Sequence, residues 1–279
     1  MPRLAYYNGE IMPYESIRIP LTDRSIFFGD AVYDVMIGYN AKVYQFDEHI
    51  SRLLNGVKAL EINLTHSVAQ IRDIVNELAK SHADEEFMVY IQVSRASENR
   101  THIYSSSSPS NLMIFTDSAA IRDSLVPISL ISQNDLRYEY CNIKTVNLLP
   151  SVLAATKANK MSADECVLIR DGIVTECSRS NVVFIRNDTL YAPRESNHIL
   201  PGITMQNVFE ICKKNGIKVR RCDFGYTELI SADEILVTST TKLARRVYKI
   251  NGIPVGMKQA SLAHIISDQL LSKFTNGDC

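Results

Sequence analysis

The stretch Cys141-Asn142-Ile143-Lys144-Thr145-Val146-Asn147-Leu148-Leu149-Pro150 carries a lone lysine in an otherwise uncharged run. Ile143, Val146, Leu148 and Leu149 around it predict that Lys144 has little contact with water. A lysine so placed can lose its proton and form a Schiff base with a carbonyl. Three later runs supply groups that suit such an amine. Val174-Thr175-Glu176-Cys177-Ser178-Arg179-Ser180-Asn181 puts a carboxylate, Glu176, at the end of a strand pattern. Leu200-Pro201-Gly202-Ile203-Thr204 opens a helix, and the N–H groups and dipole of a helix start favour a phosphate. Val237-Thr238-Ser239-Thr240-Thr241 runs from an apolar strand into hydroxyls.

Composition sets the frame around these runs. The chain has 279 residues, 46% of them hydrophobic, and a formal net charge of −1, ordinary values for a globular protein. No basic patch or acidic tail points to nucleic acid. No apolar run is long enough to span a bilayer, and the N-terminal residues lack the apolar core of a signal peptide, so the expectation is a cytoplasmic protein. Cys141, Cys166, Cys177, Cys212, Cys222 and Cys279 show no metal-ligand spacing, and no metal is expected. Several lie in apolar patterns that suit reduced thiols.

Periodicity divides the chain into two α+β blocks. Residues 1–116 form a smaller N-terminal domain, 117–124 a polar linker and 125–279 a larger C-terminal domain. In the first block, hairpins are expected around Asn8-Gly9 and Asn40-Ala41. Asp47 is expected to cap a helix with Ile50, Leu53, Leu54, Val57 and Leu60 on one face. A second helix follows Thr65, with Val68, Ile71, Ile74, Val75 and Leu78 aligned. Glu86 to Arg95 and Asn111 to Thr116 read as strands, and Ser97 to Ser110 as a polar surface loop. In the second block, Pro127 to Gln133, Cys166 to Arg170, Ile173 to Thr175, Val182 to Arg186, Leu190 to Ala192 and Ile235 to Thr238 read as strands. Ser151 to Met161 and Thr204 to Lys214 read as helices, the latter closed by Asn215-Gly216.

Three further positions complete the candidate set. Arg52, on the first helix, has the fork geometry to clamp a phosphate. Arg100 and His102, in the polar loop, together with the Tyr33 hydroxyl, form a candidate trap for a carboxylate. Taken singly, each residue also has an ordinary structural reading, as a solvated side chain, a cap or a turn. A Schiff-base lysine, an acid for a pyridine nitrogen and a phosphate cradle are together what pyridoxal 5'-phosphate requires.

The order of these segments resembles the fold type IV pyridoxal phosphate enzymes, nearly end to end. The resemblance starts at Asp23-Arg24-Ser25-Ile26-Phe27-Phe28-Gly29-Asp30-Ala31-Val32-Tyr33, includes Phe46-Asp47-Glu48-His49-Ile50-Ser51-Arg52-Leu53, and reaches Ser239-Thr240-Thr241. It implies a two-domain α+β fold with the cofactor between the domains. It implies Lys144 as Schiff-base lysine and proton shuttle. It implies cofactor binding by Arg52, Glu176, Leu200, Ile203, Thr204, Ser239 and Thr240. Within the group, Arg100-Thr101-His102 with Tyr33 is most similar to the D-amino acid aminotransferases. That subfamily transfers an amino group from a D-amino acid, such as D-alanine, D-glutamate or D-aspartate, to a 2-oxo acid by a ping-pong mechanism. It further implies a homodimer in which Arg100 and His102 reach the partner's site. The alternatives are a branched-chain L-amino acid aminotransferase and an aminodeoxychorismate lyase on the same fold. The sequence departs from the family pattern at Cys177, Arg179 and Pro201, and at Lys242-Leu243-Ala244-Arg245-Arg246. The added arginines lead to the expectation of a preference for acidic side chains.

Overall fold

The computed structural model describes residues 3–83, 85–121 and 126–276. The chain forms two compact units, Met1–Ala120 with Ile143–Asn147 and Phe274–Cys279, and Ile121–Asn142 with Leu148–Lys273. The expected linker, 117–124, begins in a strand, and its last three residues lie outside the described residues, as does Cys279.

The first unit is built on a six-stranded sheet. Its strands are β1 (Leu4–Tyr7), β2 (Glu10–Pro13), β3 (Ala31–Tyr39), β4 (Lys42–Val43), β5 (Glu86–Ser94) and β6 (Asn111–Ser118). They are ordered β2-β1-β6-β5-β3-β4, and every pairing is antiparallel. Both expected hairpin turns use left-handed backbone, Asn8 and Gly9 at φ 46° and 108°, Asn40 and Ala41 at 50° and 59°. Helix α1 (Arg24–Phe28) precedes β3, while α2 (Phe46–Ala59) and α3 (Val68–Ala79) supply the apolar cover. Ile50, Leu53 and Val57 of α2 and Ile71, Val75 and Leu78 of α3 join Val32, Met36, Val89 and Ile91 in one core. Val68 is exposed, because it stands at the first turn of α3. Ser67 caps α3 in a reciprocal capping box with Gln70.

Asp47 is not the cap of α2. The helix begins at Phe46 after Gln45, whose left-handed φ of 52° turns the chain out of β4. Asp47 sits in the first turn, where its charge favours the helix dipole and pairs with Arg72.

The second unit holds β7 (Ile128–Asn134), β8 (Glu165–Arg170), β9 (Ile173–Cys177), β10 (Asn181–Arg186), β11 (Thr189–Ala192), β12 (Lys218–Arg221), β13 (Glu234–Ser239), β14 (Leu243–Ile250) and β15 (Ile253–Pro254). The order is β12-β11-β10-β13-β14-β7-β8-β9, with β15 on β14. The β14–β7, β7–β8 and β11–β12 pairings are parallel. Helices α4 (Leu149–Lys160), α5 (Ile203–Lys214), α6 (Tyr226–Ile230) and α7 (Ala260–Asn276) complete the described elements. No helix among the described residues is long and apolar enough to cross a membrane.

Two expectations fail here. Leu148 and Leu149 are exposed, at 38% and 69%. They open α4, on which Val152 and Leu153 are exposed too. The resemblance leads to a loop at Leu243 to Arg246, but the stretch is strand, and Arg246 pairs at 2.7 Å with the fully buried Glu234. A guanidinium neutralising a buried carboxylate has a structural task already. Arg245 donates from Nε to the Val126 carbonyl at 2.9 Å.

Candidate active site

In the first unit the lysine segment is pinned to the start of β3. Over its first residues β3 pairs only with β5, since β4 reaches no further than Gly38 and Tyr39. Residues 143–147 take up the remaining backbone groups there. Tyr33 N–H donates to the Lys144 carbonyl at 2.9 Å, Val146 N–H donates to the Ala31 carbonyl at 3.2 Å, and Val32 bridges Thr145. Asn147 closes the segment by donating to the Gly29 carbonyl at 2.9 Å. Gly29 has φ 62°, and a Cβ there would overlap Asn147 Oδ1, so both the turn and the close approach need glycine.

This pinning sets Lys144 Nζ 3.4 Å from the Tyr33 hydroxyl and 4.5 Å from the centre of its ring. Tyr33 stacks on Tyr90, and Tyr90 on Phe115. One residue further along β3, Asp34 is fully buried. It accepts hydrogen bonds from Arg52 Nε and Nη2, each at 2.8 Å, and lies 2.8 Å from His49 Nδ1. Burial alone pushes the Asp34 carboxyl up, but Arg52 and His49 more than offset it and hold the carboxyl well below the usual carboxylate range. Burial pulls His49 down, and the charges of Arg52 and Lys144 act in the same sense against the pull of Asp34. His49 and Arg52 stand three residues apart on α2 and so share a face. Arg52 is thus held by a fixed anion rather than waving from a solvated helix face.

Arg100 and His102 lie on the exposed loop after β5. The Arg100 guanidinium sits 5.8 and 5.4 Å from the ring centres of Phe27 and Phe28, and the His102 ring lies 5.3 Å from that of Phe28.

In the second unit Glu176 ends β9 as a buried carboxylate, not a solvated strand end. Arg137 ion-pairs with Oε1, while Oε2 accepts from Asn181 Nδ2 at 2.8 Å and from the Leu200 N–H at 3.1 Å. Arg137 is itself fixed by Asp135, through Nε to Oδ1 at 2.9 Å and Nη2 to Oδ2 at 2.8 Å, and donates to the His198 carbonyl at 2.9 Å. Desolvation works against its charge, but Asp135 and Glu176 more than restore it.

Asn181 connects this carboxylate to the helix start. Its Nδ2 also donates to the Leu200 carbonyl at 3.0 Å, and its Oδ1 occupies the space that a Gly202 Cβ would need. Only glycine fits there. Gly202 then leads into α5, with Ile203 and Thr204 in its first turn, both buried. Asn181 pairs across the sheet with Thr238, whose Oγ1 is buried without a hydrogen-bond partner among the described residues. Ser239 and Thr240 follow directly. Glu176, Asn181, Leu200, Gly202, Ile203, Thr204 and the end of β13 therefore form one group of neighbours.

In the second unit, a buried carboxylate, a glycine-only approach to a helix N-terminus and an orphan hydroxyl are the kinds of group that suit a phosphorylated pyridine; in the first, the Lys144 amine beside Tyr33 is the kind of group that suits an aldehyde. The amino-transferase class IV family model matches residues 31–250. The chain belongs to the class IV aminotransferases. Its cofactor is pyridoxal 5'-phosphate. It is 33% identical over 253 residues to a D-alanine aminotransferase of Listeria monocytogenes, covering 89% of this chain and 88% of the relative. It is 33% identical over 252 residues to that of Bacillus licheniformis, with 90% and 89% covered. In fold it is similar to a branched-chain aminotransferase of Thermoproteus uzoniensis, at TM-score 0.90, 18% identity and coverage of 99% and 95%. The branched-chain amino acid aminotransferase of Escherichia coli gives TM-score 0.88 at 19% identity, again covering 99% and 95%.

Sequence reasoning about this class IV aminotransferase missed Asp34, His49, Asp135 and Arg137. Asp34 was detectable as a charge inside the apolar strand Ala31–Tyr39, which demands a buried partner. Asp135 and Arg137 stand two apart just past β7, a weaker sign. The departures prove local. Cys177 is buried in the apolar core, and Arg179 is exposed, with its N–H on Glu165 at 2.7 Å and Nη2 on the Asp164 carbonyl at 3.1 Å.

Proposed function

We propose that this aminotransferase moves amino groups between D-amino acids and 2-oxo acids. The observation that carries this reading is the identity with D-alanine aminotransferases, spread over about nine-tenths of both chains. Arg100-Thr101-His102 and Tyr33 support it as the trap for the substrate α-carboxylate. The likeness to branched-chain enzymes concerns the fold and does not bear on substrate handedness.

Lys144 would hold the cofactor through Nζ, and the same amine is the group that would move the proton at the substrate Cα. The Tyr33 hydroxyl, 3.4 Å away, orients that amine. Glu176, paired with Arg137, would serve the pyridine nitrogen. Arg52, the first turn of α5 with Thr204 and Ile203, and Ser239 and Thr240 hold the phosphate. Leu200 fixes Glu176 through its N–H. Pyridoxal phosphate, when bound, supplies the carbonyl that takes up the amino group and the ring that accepts the electrons freed at Cα.

We further infer a homodimer in which Arg100 and His102 serve the partner's site. Both residues are exposed in their own chain, in company with Ile19, Leu21, Ile26, Phe27 and Ile103, all exposed apolar side chains of the same unit. The cytoplasm suits the five described cysteines, each a free thiol.

Initial rates with D-alanine and 2-oxoglutarate, with chiral analysis of the glutamate formed, test the reading. Parallel double-reciprocal lines and D-glutamate are expected. L-glutamate as the product overturns the handedness. Pyruvate released without an oxo-acid acceptor, from a substrate bearing an enolpyruvyl ether, indicates the lyase.

A further inference from the structure

The polar loop after β5 is exposed, yet two buried arginines hold it. Arg24 and Arg95 are 3% and 5% exposed, and both donate from Nε to the same oxygen, Asp30 Oδ2, at 2.9 and 2.8 Å. From that shared anion each reaches a different part of the loop. Arg24 Nη1 donates to the Thr101 carbonyl at 2.7 Å, between Arg100 and His102. Its guanidinium lies 4.8 Å from the centre of the Phe28 ring, the ring that Arg100 and His102 also meet. Arg95 takes the other end. Its guanidinium lies 3.6 Å from the Tyr104 ring centre, and its Nη groups donate to the Leu60 and Glu61 carbonyls at the end of α2 at 2.6 and 3.1 Å. The Tyr104 hydroxyl donates to Glu61 at 2.8 Å.

Arg24 is itself fixed in place. The preceding residue, Asp23, caps α1 and accepts from Ser94 Oγ and Asn111 Nδ2, each at 2.7 Å, so the first residue of α1 cannot drift from β5 and β6. Ion pairs this well buried are costly to desolvate, and general stability could be had from apolar side chains instead. A guanidinium offers what those cannot, two directed donors from one rigid plane.

We infer that Arg24, anchored on Asp30, is the positioning residue for the Arg100–His102 carboxylate trap, holding the backbone between the two at a fixed height over Phe28. The inference rests on the reading of Arg100 and His102 given above. Arg24 touches neither substrate nor cofactor in this role. Its loss therefore weakens capture of the amino acid and leaves the turnover of captured substrate alone.

The test uses the cofactor-loaded protein and its Arg24→Met, Arg24→Lys and Arg100→Ala variants. Four quantities are measured: KM and kcat for D-alanine, cofactor affinity by absorbance, and amide hydrogen exchange over residues 98–104. Arg24→Met is expected to raise KM about tenfold, as for loss of a charge-assisted hydrogen bond, with kcat and cofactor affinity within about twofold. Exchange at 98–104 quickens. Arg24→Lys, with a charge but no fork, falls between, and it carries the same test if Arg24→Met does not fold. An unchanged KM, or a cofactor affinity that falls in step with KM, overturns the inference. Arg100→Ala separates the two claims. If its KM stays at the parent value, the trap reading itself fails. If its KM rises while the Arg24 variants keep theirs, only the positioning role fails.

Discussion

Arg137 and Glu176 form a buried ion pair in which each partner is held from behind, Arg137 by both oxygens of Asp135 and Glu176 by Asn181 and the Leu200 N–H. Glu176, only 6% exposed, thus has a guanidinium and two N–H donors on its carboxylate. Replacing Arg137 by Met takes the guanidinium from Glu176 and leaves Asp135 facing Arg170 at 3.6 Å. We expect a loss of about 3–5 kcal/mol in stability, read by urea unfolding, with weaker cofactor binding. Glu176→Gln keeps shape and hydrogen bonds but not charge, so it is expected to fold normally and to lose most of its rate. Full activity in that variant contradicts the role of Glu176.

Gly202→Ala tests the link between the carboxylate and the helix start. The new methyl overlaps Asn181 Oδ1, and Asn181 must then release Glu176 or move α5. The expected cost is about 1–3 kcal/mol in stability. Cofactor affinity is expected to fall as well, in a titration followed by absorbance.

Asp34 and His49 give the stability of the first unit its pH dependence. Asp34 is held below the ordinary carboxylate range, so its contribution is complete above about pH 4 and is lost as the pH falls further. Burial makes His49 harder to protonate in the folded protein than in the unfolded chain. The unfolded chain thus binds more protons below about pH 6.5, and stability declines from there as the pH drops. Melting temperatures between pH 8 and 5 should show this slope, and His49→Gln should flatten it. Asp34→Asn at neutral pH should cost about 3 kcal/mol, since it removes the buried carboxylate that both Arg52 and His49 meet.

Burial pushes the thiols up, to about 11 for Cys141, about 12 for Cys166 and about 11 for Cys212, and further still for Cys177. Among the five described cysteines, iodoacetamide at neutral pH should label slowly, with the half-buried Cys222 first. Fast labelling of Cys166 or Cys177 in the native protein contradicts the packing of β8 and β9.

The site's own segments were legible in sequence because each is short and locally patterned. Lys144, Glu176 and Thr204 lie in contiguous runs, and the hairpins at Asn8-Gly9 and Asn40-Ala41 carry their turn chemistry in two residues. The supports were not legible to the same degree. That residues 143–147 complete the edge of β3 follows from pairing between segments far apart in the chain, which no local period encodes. β14 carries Arg245, Arg246 and Lys249 on a strand, so its pattern hides the strand until Glu234 is seen opposite Arg246. The exposure of Leu148 and Leu149 likewise depends on which way the first turn of α4 faces.

The most direct test of substrate handedness is a half-reaction. The purified protein with pyridoxal phosphate is mixed separately with D-alanine, D-glutamate or L-leucine, with no oxo acid present, and the cofactor absorbance is followed. The account predicts conversion of the cofactor with the D-amino acids and none with L-leucine. Conversion with L-leucine alone leaves the fold and cofactor standing and contradicts the assignment of substrate.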